Sequence, residues 1–404
     1  MVNYVLSLKM SEDNMKKILF VMPSLNMGGV RSSFLNLLYE LEDSNLNISV
    51  LCFDQDNMEK LPPYVKIIPT NKFLRLSAVK QSVINKESKL MGLVRLTAGF
   101  LAKKISQNIA YRLLFFTYKK LKDYDVAISF TQTPNKSLFG GCNEFVLNKV
   151  CAKKKISFIH CDYSLAGIDT DYSRKIYKKF DIIATVTNGV RESFVKCRSE
   201  LAYKTKVVYH FHQFNKIKSL SEIDTCEYNK NVVNFITVAR LSPEKGHERM
   251  LEGFKRLKDD GYNFCWHIVG GGSDEFERTL YQKIKDYGLS KHVIMYGRQS
   301  NPYRYMKNAD VLLVTSFHEA GPMVCIEGFS LGIPAIMTNT ISSEELVGEK
   351  EYGIVCESTS ESLYLTVKKV IESPDKLLKY RSNISKGFVC TNELAKKQFL
   401  DIIQ

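Results

Sequence analysis

Val311-Leu312-Leu313-Val314-Thr315-Ser316-Phe317-His318-Glu319-Ala320-Gly321-Pro322-Met323-Val324-Cys325-Ile326-Glu327-Gly328 reads as a buried strand, a loop and the start of a helix. The unbroken apolar run Val311–Val314 marks a strand covered on both faces, as in a parallel sheet. Glu319 falls in the loop after the strand, and Glu327 falls inside the helix, with seven residues between them. Open parallel sheets bind ligands outside the carboxyl ends of their strands. The spacing therefore aims two carboxylates at one ligand, one from the loop and one from the helix. Pro322 fits the first helical position, so the positive helix end would face an anion near Ala320–Val324. Glu327 lies five residues further on, roughly 7–8 Å at 1.5 Å rise per residue. That is about the reach from a phosphate to a ribose hydroxyl pair, whose protons a carboxylate accepts. With Val324, Cys325, Ile326 and Phe329 around it, Glu327 needs a partner.

Working outward, thirteen short β-rich runs alternate with helical stretches. They are Lys17–Met22, Ile48–Phe53, Val65–Pro69, Val126–Phe130, Ile156–His160, Ile182–Val186 and Lys206–His210, then Val233–Ala239, Phe264–Val269, Val293–Tyr296, Val311–Thr315, Ala335–Thr338 and Gly353–Cys356. Alternation implies right-handed βαβ crossovers and parallel sheets. The expected fold is α/β, with two doubly wound Rossmann-like domains. Expected boundaries are a leader at 1–14, with Met15 a second candidate start, a first domain at 15–214, a polar linker at 215–231, a second domain at 232–385 and a C-terminal helix at 386–404.

The 404 residues suffice for two domains. At 45% hydrophobic and 25% charged, the composition is that of a globular protein. The apolar runs are too short to cross a bilayer. No charged segment followed by a long apolar core and a small-residue cleavage site opens the chain, so export is not expected. The ten cysteines include no CxxC pair, and buried thiols in a reduced cytosolic protein are expected.

Two further turns and a strand end carry chemistry. Ser24-Leu25-Asn26-Met27-Gly28-Gly29-Val30 joins the first strand to a helix, and its glycines permit close backbone approach to a ligand. Neither GxGxxG nor GxxxxGK[ST] is present. After Val233–Ala239 come Arg240-Leu241-Ser242-Pro243-Glu244-Lys245-Gly246, with Ser242 placed to cap and Pro243 to open a helix. Arg240 and Lys245 offer a flat fork and a point charge to a diphosphate. His160 ends a strand, a position from which a histidine can face a ligand cleft, although a lone histidine is more often structural. His210 and His212 share a strand face without a third ligand, and a metal site is not expected. The Gly270-Gly271-Gly272 turn needs no ligand to explain it.

Taken in order, the glycine-pair loop, the strand-end His160, Arg240…Lys245 and Glu319-x7-Glu327 followed by Leu331-Gly332-Ile333-Pro334 resemble glycosyltransferase family 4. These are retaining enzymes of glycosyl transferases group 1 with the two-Rossmann-domain GT-B fold. The resemblance runs from about Lys16 and is strongest over 232–356. It implies two domains facing across a cleft, with the C-terminal helix returning to the first. It implies a nucleotide-sugar substrate, uridine-based ahead of guanosine-based, and no metal. Catalytic roles would fall to Glu319, His160, Arg240 and Lys245. The donor would be held by Gly28, Gly29, Arg240, Lys245, Gly321, Pro322, Met323, Val324 and Glu327, with Glu327 on the ribose. One departure is the stretch Tyr209–Asn215, where the family often shows an Asn-Gly or Asn-Pro turn. A nucleotide-sugar epimerase of the same fold and a non-catalytic partner subunit are the alternatives; the four charged residues together weigh against both.

The net charge of +14 is uneven: residues 71–122 hold twelve Lys and Arg against one acid, Glu87. Apolar residues interleave with these cations, as in helices that lie on anionic membranes. No nucleic-acid motif accompanies the charge. The combined expectation is a hexosyl- or N-acetylhexosaminyl-type transferase, cytoplasmic and peripheral on the inner membrane face. Its acceptor would be a saccharide, lipid-linked, in bacterial surface polysaccharide or glycolipid synthesis.

Overall fold

The computed structural model describes residues 15–26 and 28–404. The leader assigned to residues 1–14 lies outside the described residues. The chain divides into two compact units: residues to Val186, Val190–Phe211 and Asn392–Gln404 form one, and Thr187–Gly189 with His212–Thr391 form the other.

Unit one is built on β1 (Lys16–Met22), β2 (Leu46–Cys52), β3 (Lys66–Ile67), β4 (Leu121–Ser129), β5 (Val150–Ile159), β6 (Ile182–Thr185) and β7 (Thr205–Val207). Unit two is built on β8 (Val233–Val238), β9 (Phe264–Val269), β10 (Val293–Met295), β11 (Val311–Val314), β12 (Ala335–Thr338) and β13 (Gly353–Cys356). The orders are β3-β2-β1-β4-β5-β6-β7 and β10-β9-β8-β11-β12-β13, with every ladder parallel. Both are doubly wound Rossmann orders, and both reverse direction beside their first strand. In β11 all four residues are buried, which is why its sequence is apolar without alternation. β3 keeps only two residues, both exposed, and lies at a sheet edge.

Two expected boundaries move. The stretch 215–231 contains most of a helix, Phe214–Ser221, which buries Ile217 and Ser221. Beyond it Tyr228 stacks on His267 at 3.8 Å and donates its hydroxyl to Tyr305 O. The segment is therefore packed structure of unit two. At the other end, the final helix starts at Asn392, not at 386. Phe388 still packs in unit two, 5.9 Å from Phe214, so the chain cannot leave before it. The helix Asn392–Ile403 then returns to unit one, burying Ala395, Phe399, Ile402 and Ile403 in its core, with Phe399 stacked on Phe20 at 6.0 Å.

The basic segment forms four helices, Lys72–Arg75, Gln81–Glu87, Lys89–Lys104 and Gln107–Phe115. Among the described residues no helix is long and apolar enough to cross a membrane.

Candidate active site

In unit two the strand order reverses between β8 and β11, and the loops leaving these strands meet. The ladder between them covers Val311↔Phe235 and Leu312↔Ile236. Beyond it the Thr237 hydroxyl donates to Leu313 O at 3.0 Å, so a side chain replaces the backbone pairing. The two loops are then tied together. Phe317 N donates to Glu244 O at 2.9 Å, and Thr315 Oγ1 donates to Lys245 O at 2.9 Å. Gly246 between them has φ +69°, and a Cβ there would lie 2.1 Å from Thr315 O. Only glycine meets both the left-handed backbone and the close approach.

This stitching brings Lys245 and Glu319 together: Lys245 Nζ lies 2.6 Å from Glu319 Oε1, with both side chains largely shielded. Ser316 Oγ donates to the same carboxylate at 2.6 Å, and Thr338 Oγ1 holds Ser316 O at 2.5 Å. Arg249 braces the loop from behind. It is buried, donates to Thr315 O at 2.5 Å and to Ser358, and its guanidinium lies 4.1 Å from the centre of the Phe317 ring. Arg240 is different: its side chain is 69% exposed and pairs with Glu244 one turn along. The Pro243–Lys245 turn is a single 3-10 turn, with Ser242 at its start making no side-chain cap, and the long helix begins later, at His247.

The helix carrying Glu327 runs Met323–Ser330, with Pro322 as its N-cap, one position earlier than read from the sequence. A proline there has no N–H to lose, so the shift leaves the helix start intact. Gly321 precedes this cap, and Val324 lies in the first turn. The Tyr303 hydroxyl donates to Glu327 Oε1 at 3.3 Å. Burial pushes the Glu327 carboxyl up to about 7, against a smaller lowering by Tyr303. Among such apolar neighbours the charged form loses hydration that one long hydrogen bond does not restore. The Gly270–Gly272 turn backs the β8 loop: a Cβ on Gly270 would lie 1.7 Å from Ala239 O.

In unit one, Gly28 caps the helix Gly29–Glu40 at φ +150°, and a Cβ on Gly28 or Gly29 would meet nothing within 4 Å. His160 follows β5 and packs against Phe130, Phe158 and His210, with ring centroids 4.8, 5.8 and 5.7 Å away. Neither of its ring nitrogens has a well-aligned hydrogen-bond partner among the described residues. Burial, and secondarily His210, hold its protonation well below the usual histidine range. His210 Nδ1 is 2.6 Å from Ser33 Oγ on the first helix, and burial lowers His210 to about 4. The structure thus assembles Lys245, Glu319 and the Glu327 helix within unit two, and Gly28, Gly29 and His160 on the strand-end side of unit one. Sequence reasoning missed Arg249, Ser316, Tyr303 and Ser33, the last being the partner of His210. Only the tie between neighbouring loops reveals the first two.

Unit two is thus a doubly wound Rossmann-like domain with a Lys–Glu pair at its point of strand reversal. Residues 227–387, about two fifths of the chain, match the family model Glycosyl transferases group 1. An uncharacterized glycosyltransferase of Methanocaldococcus jannaschii is 29% identical over 167 residues, 40% of this chain and 41% of that protein. The N-acetylgalactosamine-N,N'-diacetylbacillosaminyl-diphospho-undecaprenol 4-alpha-N-acetylgalactosaminyltransferase of Campylobacter jejuni is 25% identical over 283 residues, 68% of this chain and 74% of that protein. The chain thus spans less than half the length of the first of these relatives and about three quarters of the second. Anabaena HepE, solved in complex with UDP, has the same fold at 17% identity, with a TM-score of 0.64 over 96% of this chain and 97% of that one.

Proposed function

We propose that the chain is a retaining glycosyltransferase of family 4. It moves a hexosyl or N-acetylhexosaminyl group from a nucleotide sugar to a lipid-linked saccharide. The observation that carries this reading is the Lys245–Glu319 pair, set where the loops of β8 and β11 meet at the reversal of strand order. That position is the ligand crevice of doubly wound sheets. The family match and the two glycosyltransferase relatives support the activity. A uridine donor is supported by UDP in HepE, and a lipid-linked acceptor by the undecaprenol-linked substrate in the Campylobacter enzyme's name.

In this reading Lys245 and Arg240 hold the diphosphate, and the N–H groups from Gly321 to Val324, past Pro322 and Met323, receive phosphate or sugar oxygens. Glu327 accepts the ribose hydroxyls, and Glu319 contacts the donor sugar near the reacting carbon. Gly28 and Gly29 approach the diphosphate, and His160 serves the acceptor side as a neutral imidazole. The bond from the anomeric carbon to the β-phosphate oxygen breaks while the acceptor hydroxyl adds from the same face. The departing phosphate oxygen takes the hydroxyl proton. Lysine and helix dipole stabilise the charge gathering on the diphosphate, with no metal required. The cytoplasmic inner membrane face, with residues 71–122 against anionic lipid, is the setting that fits a lipid-linked acceptor and surface polysaccharide synthesis. Incubation with a panel of UDP- and GDP-sugars, reading free nucleoside diphosphate, tests the activity; no release above buffer from any donor, with and without lipid-linked acceptors, would refute it.

A further inference from the structure

The helices Lys89–Lys104 and Gln107–Phe115 pack one side on the core of unit one, through Met91, Val94 and Leu101 and through Tyr111, Leu114 and Phe115, and carry a second apolar side outward. The fully buried positions of the first are Gly92, Ala98 and Ala102, all small. Its large residues Leu90, Leu93, Leu96 and Phe100 are between 54% and 66% exposed. At 100° per residue these four fall on one outward stripe. The second helix buries Ala110, Tyr111, Leu114 and Phe115 but turns Ile109 and Leu113 to solvent, and Phe116 after it is 80% exposed. Ile105 in the connection is 63% exposed. Soluble helices normally place their large apolar residues inward, and a contiguous exposed patch of this kind marks a docking surface. Ser88 and Ser106 cap the two helices, so the outward face belongs to well-formed helices.

We infer that residues 89–116 form a paired-helix paddle whose outward face inserts these apolar side chains into an anionic bilayer surface. This rests on the peripheral-membrane reading above and sharpens it: apolar insertion, not adsorption of the whole 71–122 segment, provides the hold. The charge selects the occupant. Lys89, Lys103 and Lys104 flank the first stripe, Arg112 lies on the second helix's exposed face, and Lys119 and Lys120 follow. Among the described residues Arg75 is the one cation of the segment in an ion pair, with Asp54 and Glu87. A second copy of this chain would press like charges together, whereas anionic headgroups neutralise them.

The test is co-sedimentation of the full chain with phosphatidylcholine vesicles, with and without phosphatidylglycerol. The wild type is expected to bind the mixed vesicles. Leu93→Asp/Phe100→Asp is expected to bind about a hundredfold more weakly, since each large apolar side chain contributes about tenfold on burial. Lys89→Gln/Lys103→Gln/Lys104→Gln should lose the preference for phosphatidylglycerol. A UDP-induced thermal shift in each variant reports an intact nucleotide unit, separately from membrane binding. Equal binding by wild type and Leu93→Asp/Phe100→Asp would overturn insertion while sparing general electrostatic docking. Absence of binding by the wild type would overturn both without touching the transferase reading. A wild-type dimer by light scattering that Leu93→Asp/Phe100→Asp converts to monomer, with no vesicle binding, would assign the face to a second copy and overturn the proposal.

Discussion

Lys245 Nζ and Glu319 Oε1 lie 2.6 Å apart, although 74 residues separate them in the chain. A diphosphate bound as proposed would compete with Glu319 for the lysine. Glu319→Gln should therefore leave UDP binding unchanged or tighter, because Lys245 is released. Turnover should fall at least about tenfold as the contact to the donor sugar weakens. Calorimetry with UDP and steady-state release of diphosphate check the two halves separately.

The cations should act on the departing diphosphate more than on the resting donor. Lys245→Met is expected to reduce kcat by about 10²–10³, the range for removing one preorganised stabilising group. Arg240→Ala should cost more than Arg240→Lys, since lysine keeps the charge but loses the planar fork. Arg240, exposed and paired with Glu244, should give the smaller effect of the two positions. Kinetics on the three variants measure this order.

Glu327 makes binding and stability depend on pH in opposite directions. Its carboxyl is raised to about 7 by burial, from an ordinary value near 4.5. The folded protein thus holds a proton that the unfolded chain gives up, so stability falls as pH rises from about 4.5 to about 7. Glu327→Gln should remove that part of the decline in Tm across this window. A ribose needs the carboxylate as acceptor, so UDP affinity should increase as pH rises through about 7 in the wild type and stay flatter in Glu327→Gln. Glu327→Ala should lose about 1–3 kcal/mol of UDP binding.

Gly246 is where the two loops touch most closely. Gly246→Ala meets both the left-handed φ and the Thr315 carbonyl, and should destabilise unit two by about 1–3 kcal/mol. It should also weaken UDP binding by displacing Lys245. Thermal melts and UDP titration of this variant, beside Gly261→Ala, separate the two contributions. Gly261 shares a positive φ, but a Cβ there would meet nothing within 4 Å, so Gly261→Ala should change Tm only modestly and leave UDP binding intact.

Burial holds His160 protonation well below the usual histidine range, so no limb of the pH–rate profile near neutral pH should belong to it. His160→Ala should lower turnover on acceptor while leaving UDP affinity unchanged. A profile recorded for both proteins is the check.

The strands were legible because burial on both faces leaves apolar runs in the sequence: all thirteen runs are strands, Phe264–Val269, Ala335–Thr338 and Gly353–Cys356 with the ends read from the sequence and the rest with shifted ends. β3 and β7 came out shorter than their runs, since edge strands have one partner and an apolar run overstates their ladders. Glu319 and Glu327 could be read because acids beside a buried strand and inside an apolar helix stand out. Arg249 could not: near the start of a helix an arginine looks like a solvated cation, and its burial depends on the carbonyls of Thr315 and Ser358, distant in sequence. The 89–116 helices show the limit of periodicity. An amphipathic pattern identifies two faces, but which face turns inward was decided by Ala98 and Ala102 fitting against the core of unit one and by Gly92 passing close to Asn85.

In the proposed function the loops of β8 and β11 hold a nucleoside diphosphate through Lys245. The most direct measurement is isothermal titration of UDP into the wild type and into Lys245→Met. Saturable binding by the wild type, weakened about tenfold or more in Lys245→Met, is the predicted result. Equal affinities in the two proteins, or no binding of UDP or GDP by the wild type, would contradict it.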